Sequence, residues 1–150
     1  MQNPAMTLHL VKLCVGASTI EDLAAWQTEH RPYKLRDGKR CVYHRTFQSP
    51  KRQAELLDGG SIYWVIKGVI LVRQELVGFE DGTKDDGTPC CLLLISPGLV
   101  PVRPTPRRAF QGWRYLGADD APPDLAAGKS DQIASMPADM RKKLADLGLI

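Results

Sequence analysis

No stretch of this chain is apolar for long enough to cross a bilayer. The longest unbroken run, Cys90 to Ile95, is six residues, against the roughly 20 that a spanning helix needs. The opening MQNPAMTLHLVKLC lacks the basic start and long apolar stretch of a secretory signal, so a cytoplasmic protein without a membrane partner is expected. Cysteine is scarce: Cys14, Cys41, Cys90 and Cys91 show no Cys-x-x-Cys spacing, which argues against a disulfide framework and for buried free thiols. Repeats and heptads are absent, which excludes solenoids and coiled coils. Negative charge is missing unevenly. Residues 101–118 hold four arginines and no acid, and residues 31–73 hold ten Lys or Arg against three acids. The remainder is net acidic, at −4 over 74–100 and −2 over each of 1–30 and 119–150, leaving +3 in total. A chain divided in this way can turn one positive face toward a polyanion.

With 150 residues, 43% of them apolar, there is enough material for one well-filled core, and a single domain spanning 1–150 is expected. Met6 to Cys14 alternates as a first strand covered on both faces. Ser18-Thr19-Ile20-Glu21 is a capping box, and Ile20, Leu23, Ala24 and Gln27 form the stripe of a helix ending near His30. Arg31 to Arg40 is predicted to be a basic loop. Cys41 to Phe47, Ser61 to Lys67 and Val69 to Phe79 are strand-like, the last two joined at Gly68. Two Asp-Gly signals between Glu80 and Gly87 predict an acidic turn, and Cys90 to Ile95 a buried strand. Leu99 to Arg103 and Arg108 to Leu116 are weaker strands, the first held to an edge by its prolines. Residues 117–135 are predicted to be irregular, and 137–147 a C-terminal helix closed by Gly148.

Ser49 as N-cap, Pro50 in the first turn and Gly59 as the left-handed stop delimit a short second helix. Lys51 and Arg52 then open it, where the free N–H groups and the positive end of the dipole oppose cations. A bound anion would resolve that conflict. Arg107-Arg108-Ala109-Phe110-Gln111-Gly112-Trp113-Arg114-Tyr115 interleaves cations with rings, a composition that grips phosphates while bases stack. As a strand it would set Arg108, Phe110 and Arg114 on one side and Trp113 and Tyr115 on the other. Trp64, between Ile62 and Ile66, is expected in the core, with Tyr63 and Lys67 on the opposite face.

Other patterns carry less. Ala127-Gly128-Lys129-Ser130 ends like a phosphate loop, but Pro123 occupies the upstream glycine position. Asp81 to Gly87 has its glycine one place late for a calcium loop. Cys41-x-x-His44 on a strand points two ligands to opposite faces. No metal and no cofactor are expected.

Through TLHLVKLCVG…IEDLAAWQ, GGSIYWVIKG and RRAFQGWRYL, the whole chain resembles a bacterial domain-of-unknown-function family, which implies no activity. From Tyr43 to Phe79, a strand ending in an arginine, a Pro-led basic helix, a Gly-containing step and two further strands are similar to PUA-like barrels of the ASCH type. That resemblance implies a small β-barrel with outer helices and binding of RNA or modified nucleosides. The catalytic ASCH branch carries a Gly-x-Lys-x-x-Glu-x-Arg pattern. Here Val42-Tyr43-His44-Arg45 has no glutamate, so only Arg45 carries over.

The expectation is therefore an α+β, PUA-like mixed barrel of about six strands with two or three peripheral helices. Its expected function is binding RNA or a nucleotide-like anion through Arg45, Lys51, Arg52, Lys67, Arg73, Arg107, Arg108, Trp113 and Arg114. Two rivals are an enzyme on a modified nucleoside using His44 as acid or base, and a protein-interaction module with an apolar patch around Tyr63, Trp113 or the last helix.

Overall fold

A computed structural model describes residues 7–30, 34–36, 39–125 and 137–146. The Ala127–Ser130 pattern, Gly148, most of the expected irregular segment and parts of the basic loop lie outside them. The chain is mixed α+β and rich in sheet. Its elements are β1 (Leu8–Leu13), α1 (Ile20–His30), β2 (Lys34–Arg36), β3 (Lys39–Thr46), α2 (Gln53–Leu56), β4 (Ser61–Ile66), β5 (Val69–Thr83), β6 (Pro89–Ile95), β7 (Val100–Pro106), β8 (Trp113–Gly117) and α3 (Ala138–Asp146).

The strands follow the order β2-β3-β6-β5-β4-β1-β8, and β7 pairs with β5 off that path. β1 and β4 run parallel, while β8 returns antiparallel along β1. The 15-residue β5 ties the sheet together, because its first half pairs with β4 and β7 and its second half with β6. A register shift between Leu76 and Gly78 marks where it changes partner. The sheet is not closed into a barrel: β2 and β8 end the path without pairing with each other. The expected barrel of six strands is thus an open sheet of eight among the described residues.

Alternation explains the layers. Leu8 and Leu10 of β1 pack with Ile62, Trp64, Leu71, Val72 and Leu93 on one face, closed by Leu23 of α1 and Leu56 of α2. Val11, Tyr63, Val65, Ile70, Val102 and Leu116 form the core of the opposite face. Burying each large apolar side chain contributes about 1.5–3 kcal/mol, so both layers hold the sheet. Among the described residues no helix is long and apolar enough to cross a membrane.

Several boundaries differ from expectation for local reasons. The α1 cap is shifted by one residue: Thr19 Oγ1 accepts from the Asp22 N–H at 3.0 Å, and Asp22 Oδ2 accepts from Ser18 and Thr19 N–H at 2.9 and 3.2 Å. Part of the basic loop is a hairpin, with Lys34 opposite Cys41 and Arg36 opposite Lys39. Of the two Asp-Gly signals only Asp86-Gly87 turns. Asp81-Gly82 continues β5, where a methyl on Gly82 would lie 2.8 Å from Leu92 Cγ. The β4–β5 turn lies at Lys67 and Gly68, both at positive φ (51° and 80°), the twist that suits a two-residue hairpin.

Candidate nucleic-acid interface

The second helix is one turn long. Arg52 flanks it without a side-chain cap, and the Ser49 side chain instead bonds to Cys91. Gly59 takes the left-handed conformation expected of it, at φ +87°. The N–H groups of Lys51 and Arg52, expected to be free for an anion, are already used. Both donate to Tyr115 Oη, at 3.0 and 3.2 Å. The conflict between cations and helix dipole is therefore settled within the protein, and a four-residue helix carries little dipole to begin with.

The same contact brings the two basic blocks together. Tyr115 stands on edge strand β8, more than 60 residues from Lys51, and its ring lies 5.5 Å from the Arg52 guanidinium carbon. It also lines a shallow cleft of about 550 Å3 with Arg107, Arg108, Phe110 and Arg114. Within that cleft Arg107 and Arg114 lie 5.8 and 5.5 Å from the Phe110 ring centre, within cation–π range. Arg114 is steadied by donating to the carbonyls of Gln111 and Trp113, both at 2.9 Å. Lys67 reaches the same end of the sheet, since the Arg107 N–H donates to Gly68 O at 3.0 Å. Among the described residues no carboxylate pairs with Lys51, Lys67, Arg107, Arg108 or Arg114, and all but the half-buried Arg107 are exposed. Arg52 is partly offset by Glu55, whose carboxylate accepts from Arg52 Nε at 3.0 Å and is held below its usual pKa by that bond.

The loop before β8 differs from expectation. Strand pairing starts only at Trp113, and Gly112 at φ +69° turns the 107–112 segment out as a loop. Phe110 and Arg114 still share a side, opposite Trp113 and Tyr115. Trp113 is anchored: its indole N–H donates to Gln48 O at 2.7 Å, its ring meets Tyr115 edge-on at 4.9 Å, and it packs on the main core. It positions the face and offers little free ring surface.

Two expected residues stand apart. Arg73 is committed to Asp124 through paired bonds of 2.7 and 2.8 Å, and donates to Ser61 Oγ at 3.1 Å. That pairing raises the Arg73 pKa and lowers that of Asp124. The pair lines a separate cleft of about 340 Å3 with His9, Ser61 and Tyr63. There His9 Nδ1 accepts the Ser61 N–H at 3.0 Å, and burial, followed by the Arg73 charge, lowers the His9 pKa to about 4. Arg45 faces neither cluster; it lines a third cleft with Lys12.

The residues invoked by the rival functions are also placed. His44 lies between Trp26 and Trp64 with its Nε2 3.2 Å from Gln27 Nε2, inside a buried amide network. Gln27 Nε2 donates to Gln74 Oε1 at 2.8 Å, Gln74 Nε2 donates to Gln27 Oε1 at 3.0 Å and to Ser96 O at 3.1 Å, and the Trp64 indole donates to Gln74 Oε1 at 2.8 Å. A satisfied buried network of this kind rigidifies the core around it. Cys41 sits in the outer cluster with Cys90, Leu92 and Leu94, on the face of β3 away from His44. Tyr63 is itself buried, at the wall of the cleft that Arg73 and Asp124 line.

A family model for proteins of unknown function, DUF1489, matches residues 10–150, and the chain belongs to that family. No curated protein and no solved structure matches the chain.

Proposed function

We propose that this DUF1489 protein binds single-stranded RNA or a nucleotide-like polyanion around the β8 edge, where Lys51 and Arg52 lie beside Tyr115 on one side, Arg107, Arg108 and Arg114 lie around Phe110 on the other, and Lys67 stands at the same end. Phe110 and Tyr115 supply ring surface for bases. The observation that carries this reading is Tyr115 Oη accepting from both Lys51 and Arg52 N–H, which joins two cation-rich, acid-poor segments that are remote in sequence. Unpaired cations contact phosphates and bases stack on rings, a combination that holds single strands without reading sequence. The phosphate site is this edge, not the helix end, because the N–H donors beside the helix are occupied. Likeness to PUA-like domains of the ASCH type rests on the Tyr43–Phe79 order and agrees with a nucleic-acid ligand.

The test is a salt titration of a labelled single-stranded RNA by fluorescence anisotropy. With about five phosphates neutralised, log K should fall against log salt with a slope of about −3.5, that is about −0.7 per phosphate. Arg107→Ala/Arg108→Ala should flatten the slope by about 1.4. Tyr115→Phe, which removes the acceptor joining the two blocks, should weaken binding while keeping the ring. A flat salt dependence in the unaltered protein, or equal affinity in the double variant, would refute the assignment.

A further inference from the structure

The third cleft has a volume of about 200 Å3 and is lined by Lys12, Cys14, Trp26, His44, Arg45 and Trp64. Arg45 Nε is buried and has no hydrogen-bond partner among the described residues. Among the described residues its guanidinium has one ion-pair contact, Nη1 to Asp85 at 3.7 Å, and that carboxylate is 99% exposed. Native structures leave few buried donors unpaired, and each such group calls for an explanation. Lys12 is a second cation without a counter-charge: among the described residues no carboxylate lies within ion-pair distance of it. Burial lowers the Lys12 pKa, as removing an ammonium from water without compensation must. Cys14 does not supply the missing charge, because burial pushes its thiol up to about 11 and keeps it neutral.

The remaining wall is aromatic. The His44 ring centre lies 5.1 Å from that of Trp26 and 4.7 Å from that of Trp64, giving three rings in contact. We infer that this cleft binds a small carboxylate with a flat apolar body, its carboxylate between Arg45 and Lys12 and its body against Trp26, His44 and Trp64. A carboxylate suits this pair of cations because the Arg45 Nη groups and the Lys12 ammonium donate charge-assisted hydrogen bonds, which a neutral group of the same shape receives more weakly. The cleft is below the roughly 300–1,000 Å3 of sites for drug-sized ligands, which excludes a nucleotide and separates this site from the RNA face.

The experiment titrates the full chain with benzoate, benzamide and inorganic phosphate, following tryptophan fluorescence and calorimetric heat. Saturable binding of benzoate is expected, with benzamide of the same shape at least about tenfold weaker. Phosphate should not compete. Arg45→Gln and Lys12→Gln should each weaken benzoate by about tenfold, with melting temperature measured alongside. Should Arg45→Gln fail to fold, the benzoate–benzamide comparison on the unaltered protein and the Lys12→Gln titration still decide. Equal binding of benzamide, binding of phosphate alone, or unchanged affinity in a folded variant would overturn the inference. Single-stranded RNA should leave the benzoate titration unmoved, and displacement would overturn the assignment of two separate sites.

Discussion

His9 makes the protein sensitive to mild acid, and the size of the effect follows from its surroundings. Its Nδ1 accepts the Ser61 N–H, so the ring proton resides on Nε2 and the imidazole is neutral. Protonating Nδ1 would set two donors against each other, in a buried position near Arg73. The folded pKa is therefore about 4, against an ordinary 6.5 in the unfolded chain. Because the folded value is depressed, the unfolded chain binds more protons between these limits, and stability falls as pH drops from 6.5 toward 4. At about 1.4 kcal/mol per pH unit, His9 costs roughly 1.4 kcal/mol at pH 5.5 and roughly 2.6 kcal/mol at pH 4.5, relative to pH 7.5. Urea unfolding of the unaltered protein and of His9→Asn over this range isolates the effect. The Asn Oδ1 can accept the same N–H but does not titrate, and any contribution of His44 is common to both proteins and cancels. The stability difference between the two should shift toward Asn by about these amounts. A difference that stays constant from pH 7.5 to 4.5, or an NMR titration placing His9 above pH 6, would refute the reasoning.

Gly60→Ala should abolish folding or cost more than about 4 kcal/mol, because the added methyl would overlap the carbonyl oxygens of both Leu56 and Leu8. Thermal melting measures this, and a loss below about 1 kcal/mol would show that the α2–β4 junction can shift. Gln74→Leu should cost about 3 kcal/mol by urea unfolding, since it leaves the Trp64 indole, the Gln27 amide and Ser96 O without their shared partner. A near-neutral result would mean that these groups find other partners when Gln74 is removed.

Local chemistry made much of the architecture legible. β4 and β5 follow from β-branched and aromatic runs split by a glycine, and α1 from its capping residues and stripe. β2 was hidden because Lys34 and Arg36 look like solvated loop residues, and only pairing with Lys39–Cys41 makes them a strand. Whether the sheet closes depends on which edges meet across the molecule, and no residue type encodes that. The basic face was half visible. Charge segregation and the Arg107–Tyr115 run marked two basic segments, but Tyr115 is the residue that joins them, and a hydrogen bond across 64 positions leaves no local signal. Arg73 looked free for the same reason in reverse, because Asp124 lies far along the chain in a segment without periodicity. Arg45 was named through the ASCH resemblance, while its unpaired Nε depends on burial, which only the packed structure reveals.

The parallel pairing of β1 with β4 also bears on the order of assembly. Leu10 meets Ile62 only after a 52-residue loop closes, an entropy cost of roughly 3.5 kcal/mol, whereas β4 and β5 zip together across the Lys67–Gly68 turn. The hairpins around β5 are thus expected to nucleate, with β1 docking late and β8 later still, since β1 is its only strand partner among the described residues. The cationic surface near Tyr115 would then complete itself at the final step of folding, and a nascent or heat-stressed chain would lose it before losing its central strands.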